Sequence, residues 1–223
     1  MRYYPVNLDM QNRRCLVVGG GPVAARKVLK LLECGAMVTV VSPDVTKEIL
    51  QLTDNRSITL KKRHFQSSDL NGMFLVIGAT NNEDVNWRIH SDAERMGKLC
   101  NIADRPEVCN FILPSIVNRG DLIIAISTSG ASPAYAKKLR QDLEKEFGEE
   151  YGKFLSLMGV IRKRLLMKSP EPETHKPTFE KLINKGLVEM IRDDKREDIN
   201  RLLSKVLGKG YSFETLMEKE MTG

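Results

Sequence analysis

The chain has 223 residues, 41% of them hydrophobic, and a formal net charge of +6. That length suits one large domain or two small ones; no apolar run reaches the roughly 18 to 20 residues of a membrane helix, and the opening MRYYPVN lacks the apolar core of a secretory signal, so a cytoplasmic protein is expected. The positive excess is diffuse, 20 Lys+Arg against 16 Asp+Glu over residues 1–148 and 15 against 13 beyond, which suits a small polyanionic substrate at least as well as nucleic acid.

In chain order, residues 13–21 read RRCLVVGGG, an apolar run that ends in glycines. A helical pattern follows, with Val23, Ala24, Val28, Leu31 and Leu32 near 3.6 spacing, and Gly35 ends it. Residues 37–41, MVTVV, predict a strand buried on both faces. Strand, helix and strand within about thirty residues make a βαβ unit. A short strand is expected at 57–60, a strong one at 73–79, a helix over 82–96 and another strand at 98–103. This alternation implies α/β architecture with a mostly parallel, doubly wound sheet. Beyond Asp104 the rhythm changes. Two strands are expected at 111–117 and 121–127 around the turn Asn118-Arg119-Gly120, and Ser132-Pro133 marks a helix start. From residue 149 on the pattern is helical, at 151–167, 179–185, 187–190, 199–207 and 213–220. The expected organisation is a sheet domain over 1–113, a small α+β region over 114–148 and a helical domain over 149–223. The four cysteines show no close-spaced pair, so reduced and mostly buried thiols are expected.

The sharpest local signal is Gly19-Gly20-Gly21-Pro22-Val23-Ala24, which fits G-x-G-x-x-G/A through Gly19, Gly21 and Ala24. Gly19 permits the tight turn, Gly21 lets backbone approach a pyrophosphate, and Ala24 lets the helix pack close to the sheet. The diphosphate would meet free N–H groups at the helix N-terminus, where Pro22 leaves no helix bond unmade. A strand before the motif and a helix after it separate it from a plain glycine turn. The next strand ends Val41-Ser42-Pro43-Asp44. Ser42 or Asp44 is positioned to bond a ribose hydroxyl, and Asp44 also suits a turn or cap. Lys47 is the nearest cation that could receive a 2′-phosphate, so NAD is expected over NADP.

With those residues placed, the chain resembles the precorrin-2 dehydrogenase family, which includes the N-terminal half of multifunctional siroheme synthase. The similarity runs over roughly residues 3–165. It rests on Tyr4-Pro5-Val6 with Leu8, on the run from Cys15 through the glycines to Ala25-Arg26-Lys27, and on Ala79-Thr80-Asn81. It continues through Asn101-Ile102-Ala103-Asp104, Phe111-Ile112-Leu113-Pro114-Ser115 and Ser127-Thr128-Ser129-Gly130-Ala131-Ser132-Pro133. The resemblance implies a Rossmann domain, a central dimerisation region, a helical C-terminal domain and an intertwined homodimer. It implies NAD⁺ as cofactor, with Thr80 and Asn81 joining the glycine loop in the site, and an eight-carboxylate tetrapyrrole as substrate. Some members also insert Fe²⁺ into sirohydrochlorin. In one branch a serine of the S-T-S-G segment is phosphorylated; Thr128 stands at that position here.

The reaction so implied moves a hydride from a ring carbon to the nicotinamide and releases a proton. Asp104 is the candidate acceptor: it follows a strand at the carboxyl edge where open α/β sheets bind ligands, and the resemblance points to it too. Since Arg105-Pro106 follows, a turn role is the alternative. The segment holding Ser127, Thr128, Ser129 and Gly130 offers hydroxyls and N–H groups to a substrate carboxylate. His64, His90 and His175 are scattered, so no metal site is expected. Two rival functions stay in view: a Rossmann dehydrogenase for another substrate, which leaves the later motifs unexplained, and a non-enzymatic NAD(H) sensor, which needs a DNA-binding element.

Overall fold

A computed structural model describes residues 2–218. Two compact units divide the chain, Met1–Leu113 and Pro114–Gly223. In the first, β1 (Arg14–Val18), α1 (Pro22–Glu33), β2 (Met37–Val41), α2 (Lys47–Asp54), β3 (Ile58–Lys61), β4 (Leu75–Gly78), α3 (Glu83–Arg95) and β5 (Leu99–Ile102) follow one another. The five strands form one sheet in the order β3-β2-β1-β4-β5, every pair parallel. That is the Rossmann-type arrangement the alternating pattern implied, with the strand order reversing between β1 and β4.

Apolar side chains fill both faces of the sheet. Cys15 and Val17 pack with Ala24, Val28 and Leu31 of α1 on one side, while Leu16 and Val18 pack with Ile89 and Ala93 of α3 on the other. Successive β1 residues thus serve opposite cores, as the two-residue strand period requires. Each fully buried Leu or Ile removed from water contributes about 2 kcal/mol. Cys15, Cys100 and Cys109 are buried thiols; Cys34 is exposed.

Two local outcomes differ from the sequence expectation. Helix α2 carries no helical expectation: it is only eight residues long with Ile49 its one buried residue, and it starts where the Thr46 hydroxyl accepts the Ile49 N–H. The strand expected from residue 111 begins only at Ser115. Residues 109–111 instead fold back along β5, with Asn110 N–H donating to the Cys100 carbonyl at 3.2 Å and Asn101 Nδ2 to the Phe111 carbonyl at 3.1 Å.

Past β3 the chain turns on a buried carboxylate. The Asp69 side chain is 1% exposed and accepts from Lys61 Nζ at 2.9 Å, Arg63 Nη1 at 2.8 Å, Arg63 Nη2 at 2.6 Å and the Gln66 N–H at 3.0 Å. The Arg63 guanidinium above all, with Lys61 and the Gln66 N–H, holds the carboxyl well below the usual carboxylate range against the cost of its burial.

The second unit begins with an antiparallel hairpin, β6 (Ser115–Arg119) and β7 (Leu122–Ile126). Helix α4 (Pro133–Glu146) follows, with Ser132 as N-cap accepting the Tyr135 N–H at 3.2 Å. Arg119 closes the far end of α4, donating to the carbonyls of Glu144 at 3.0 Å and Phe147 at 2.8 Å. Among the described residues five further α-helices follow: α5 (Glu149–Lys168), α6 (Lys176–Asn184), α7 (Leu187–Arg192), α8 (Arg196–Leu207) and α9 (Phe213–Met217). Phe154, Leu157, Met158 and Ile161 of α5 share a core with Leu182, Leu187, Ile199, Leu203 and Leu216. The end of the helix expected over 213–220 lies outside the described residues. No described helix is long and apolar enough to cross a membrane.

The Asp69 cluster generates a pH-dependent prediction. A depressed native pKa means that the stabilisation is complete above the unfolded value, near about 3.9, and is lost as pH falls below it toward the native value. Asp69→Asn should therefore cost about 2 kcal/mol at neutral pH in urea unfolding, and the gap to wild type should close as the pH is lowered through that window. A gap that stays constant into acid would contradict the assignment.

Candidate functional site

The carboxyl edge of the sheet collects three loops around the point where the strand order reverses. The turn after β1 is fixed by the Gly19 N–H donating to the Val41 carbonyl at 3.0 Å, and the loop after β4 by the Ala79 N–H donating to the Val18 carbonyl at 2.8 Å. The Thr46 N–H donates to the Gly20 carbonyl at 2.9 Å, tying in the loop after β2. Gly19 has φ +125°, and a Cβ there would lie 2.2 Å from the Ala79 carbonyl oxygen. A Cβ at Gly20 would lie 1.9 Å from the Asp44 carbonyl oxygen. Both glycines are needed for loops to touch loops.

Gly21 differs. It is the N-cap of α1, and a Cβ there meets nothing within 4 Å. The open space lies at the start of a twelve-residue helix whose first turn has no acidic residue and begins at Pro22. Val23 beside it is half-buried. Free N–H groups, the helix dipole and an unobstructed glycine fit a dinucleotide diphosphate. Ala24 is fully buried against the sheet.

The remaining sequence candidates fall as follows. Ser42 is buried, and its hydroxyl donates to the Asp44 carbonyl at 2.6 Å, so it shapes the turn that leaves Pro43 and Asp44 exposed. The cap of α2 is Thr46 rather than Asp44. The Thr80 hydroxyl is engaged with Asn82 and with Asn86 Oδ1, 3.0 Å away, while Asn81 is exposed. Asp104 lies two residues past β5, exposed, with φ +61°. Its backbone is held on both sides, the Ala103 N–H donating to the Gly78 carbonyl at 2.8 Å and the Arg105 N–H to the Ile102 carbonyl at 3.3 Å. Left-handed backbone in a non-glycine residue is uncommon and persists only where the surroundings impose it. Arg105 beside it pairs with Glu83 and Glu107.

Residues 127–130 belong to the second unit, between β7 and α4. Ser129 and Gly130 both have positive φ. The Ser129 N–H donates to Ser127 Oγ at 3.1 Å and the Ser132 N–H to Thr128 Oγ1 at 3.2 Å, so the loop is braced by its own hydroxyls.

One residue that sequence reasoning gave no role also belongs here. Lys27 of α1 is half-buried; burial and the neighbouring Arg26 lower its pKa, while Asp104 and Cys109 act in the opposite sense. It is a cation within electrostatic reach of the candidate base. In the sequence it stands only at the end of the run from Cys15 to Lys27, with no separate task. Among the described residues no three His, Cys, Asp or Glu side chains converge as a metal site.

The glycines give a contrasting pair of expectations. Gly21→Ala should leave thermal unfolding nearly unchanged yet weaken NADH binding by roughly tenfold or more, because the methyl group enters the space a diphosphate needs. Gly19→Ala should destabilise the fold by at least about 2 kcal/mol through clash and backbone strain. Calorimetry and NADH fluorescence titration read both; undiminished binding by Gly21→Ala would remove the cradle.

Comparison with known proteins agrees with this geometry. Residues 6–115 match the family model described as putative NAD(P)-binding, and residues 119–146 the one described as sirohaem biosynthesis protein central. The siroheme synthase of Methylococcus capsulatus is 35% identical over 203 residues, 91% of this chain and 43% of that protein. The siroheme synthase of Nitrosospira multiformis is 37% identical over 195 residues, 86% of this chain and 41% of that protein. The chain thus spans less than half the length of these curated relatives. The solved structure of SirC, precorrin-2 dehydrogenase, superposes with a TM-score of 0.74 at 28% identity, covering 92% of this chain and 98% of that one. The first unit is therefore a nicotinamide dinucleotide-binding domain, and the chain belongs to the family of precorrin-2 dehydrogenases and siroheme synthase N-terminal regions.

Proposed function

We propose that the chain oxidises precorrin-2 to sirohydrochlorin with NAD⁺, a step of siroheme biosynthesis. The observation that carries the reading is the position of Asp104. An exposed, left-handed carboxylate stands at the same sheet edge as the open Gly21 cradle, in a chain whose fold follows a precorrin-2 dehydrogenase over most of its length.

The backbone N–H groups at the start of α1 hold the diphosphate, and the exposed Asp44 carboxylate accepts from a ribose hydroxyl. That negative charge disfavours a 2′-phosphate, which supports NAD over NADP. Bound NAD⁺ supplies the hydride acceptor. Asp104 takes the proton that leaves the macrocycle as the hydride departs, so that precorrin-2 and NAD⁺ become sirohydrochlorin, NADH and a proton. Its side chain makes no hydrogen bond or ion pair among the described residues, which leaves the carboxylate available to substrate. Half-buried Lys27 supplies a positive end for a substrate carboxylate. Asp104 is also the candidate acceptor for pyrrole protons if Fe²⁺ enters the product.

We also assign residues 114–148 to a homodimer contact. A two-stranded hairpin is marginal alone, and the outer face of this one exposes Ile116 (44%) and Ile123 (54%) beside Ala125, while Val117 on the inner face is buried. In sedimentation the wild type should run as a dimer and Ile123→Glu as a monomer; a monomeric wild type would contradict the assignment.

The activity is tested by anaerobic absorbance with precorrin-2 and either NAD⁺ or NADP⁺. Wild type should form sirohydrochlorin and NADH together and prefer NAD⁺. Asp104→Asn should lose at least roughly a hundredfold in turnover with NADH binding intact. Turnover that survives in the variant would remove Asp104 from the chemistry, and an inert wild type that still binds NAD⁺ would point to another substrate or to a sensor. Adding Fe²⁺ to the same mixture reads the second activity.

A further inference from the structure

Strand β5 is an edge strand of the sheet, so alternate backbone groups along it face away from β4 with no strand to pair them. Such groups are costly if buried and unpaired. Here the segment after Asp104 closes them off. Asn110 Oδ1 accepts the Cys100 N–H at 2.8 Å, and Asn110 Nδ2 donates to the Lys98 carbonyl at 2.8 Å. The next outward donor is the Ile102 N–H, and it points at a sulfur: Cys109 Sγ, 3.1 Å away. The same sulfur lies 3.5 Å from Asn101 Nδ2. Its own proton has two carbonyl acceptors in reach, Arg105 at 3.1 Å and Ile102 at 3.4 Å.

These contacts straddle the candidate base. Ile102 and Arg105 lie on either side of Asp104 in sequence, and one buried thiol accepts from the first and donates to the second. Asp104 itself has φ +61°, a conformation that needs support from its surroundings. Burial pushes the Cys109 thiol up, so it stays protonated and keeps its donor. Cys109 is 6% exposed, which makes it a brace within the loop rather than a nucleophile or a ligand.

We propose that Cys109 is a positioning residue: its thiol clamps the 102–109 loop through Ile102 and Arg105 and so fixes the left-handed backbone that presents the Asp104 carboxylate. This rests on Asp104 being the proton acceptor proposed above. A bridging group must both accept and donate, so serine can replace the thiol in kind and alanine cannot. The cost falls on the chemical step, since a displaced base slows proton transfer while the glycine cradle is untouched.

Wild type, Cys109→Ala and Cys109→Ser should be compared by anaerobic turnover of precorrin-2 and by amide hydrogen exchange. In Cys109→Ala, kcat should fall by about tenfold or more with KM for NAD⁺ unchanged, and exchange at the Ile102 amide should quicken. Cys109→Ser should restore most of kcat and slow the exchange again. An alanine variant with wild-type kcat would overturn the proposal. So would a serine variant as impaired as alanine, or Ile102 exchange that does not respond. A wild type inert toward precorrin-2 would defeat the substrate reading instead, and the exchange at Ile102 would still decide for or against the clamp.

Discussion

The site depends on how closely two backbone segments approach at the point where the sheet reverses its order. The turn after β1 and the loop after β4 leave adjacent strands, and a Cβ at Gly19 would come within 2.2 Å of the Ala79 carbonyl oxygen. Because that carbon is missing, α1 starts directly above the crevice, its N-terminus faces the space where the strands part, and Gly21 stands open at its mouth. A larger residue at position 19 would force the loops apart and turn the helix end from the site. The chemistry proposed at Asp104, three strands' width from the adenosine side, needs a cofactor laid across this one close contact.

The sequence disclosed much of this because the relevant physics is local. Alternating apolar runs marked the strands and helices of the first unit, and the spacing of Gly19, Gly21 and Ala24 marked the turn, the open backbone and the close helix packing as separate tasks. Asp104 was visible from its place after a strand. What stayed hidden depends on distant partners. Helix α2 is only eight residues long and buries only Ile49 completely, too short a segment to stand out between two strands. Asp69 carries no expectation from the sequence, because Lys61, Arg63 and the Gln66 amide close around it only in the fold. Ser42 and Asp44 read as equal candidates, but the fold buries one and exposes the other. Cys109 read only as a reduced, buried thiol, whereas its sulfur bonds on both sides of Asp104. The expected strand from residue 111 failed for the same reason, since residues 109–111 are taken up in covering the edge of β5.

Edge protection and site construction are thus one device in the first unit. The segment that satisfies the outward backbone of β5 also holds the loop that carries the candidate base, so stability and positioning are coupled there. The second unit is built on a different principle. Its helices share an apolar core around α5, and its hairpin leaves Ile116 and Ile123 in solvent. That exposed face is the surface the proposed subunit contact would use.

The most direct measurement is an anaerobic single turnover in which enzyme charged with NAD⁺ is mixed with a limiting amount of precorrin-2 and both chromophores are followed together. The expected result is one NADH for each precorrin-2 consumed, with sirohydrochlorin rising at the same rate. Precorrin-2 that binds but yields no NADH, or sirohydrochlorin that forms without NADH, would contradict hydride transfer to the nicotinamide as the function of this site.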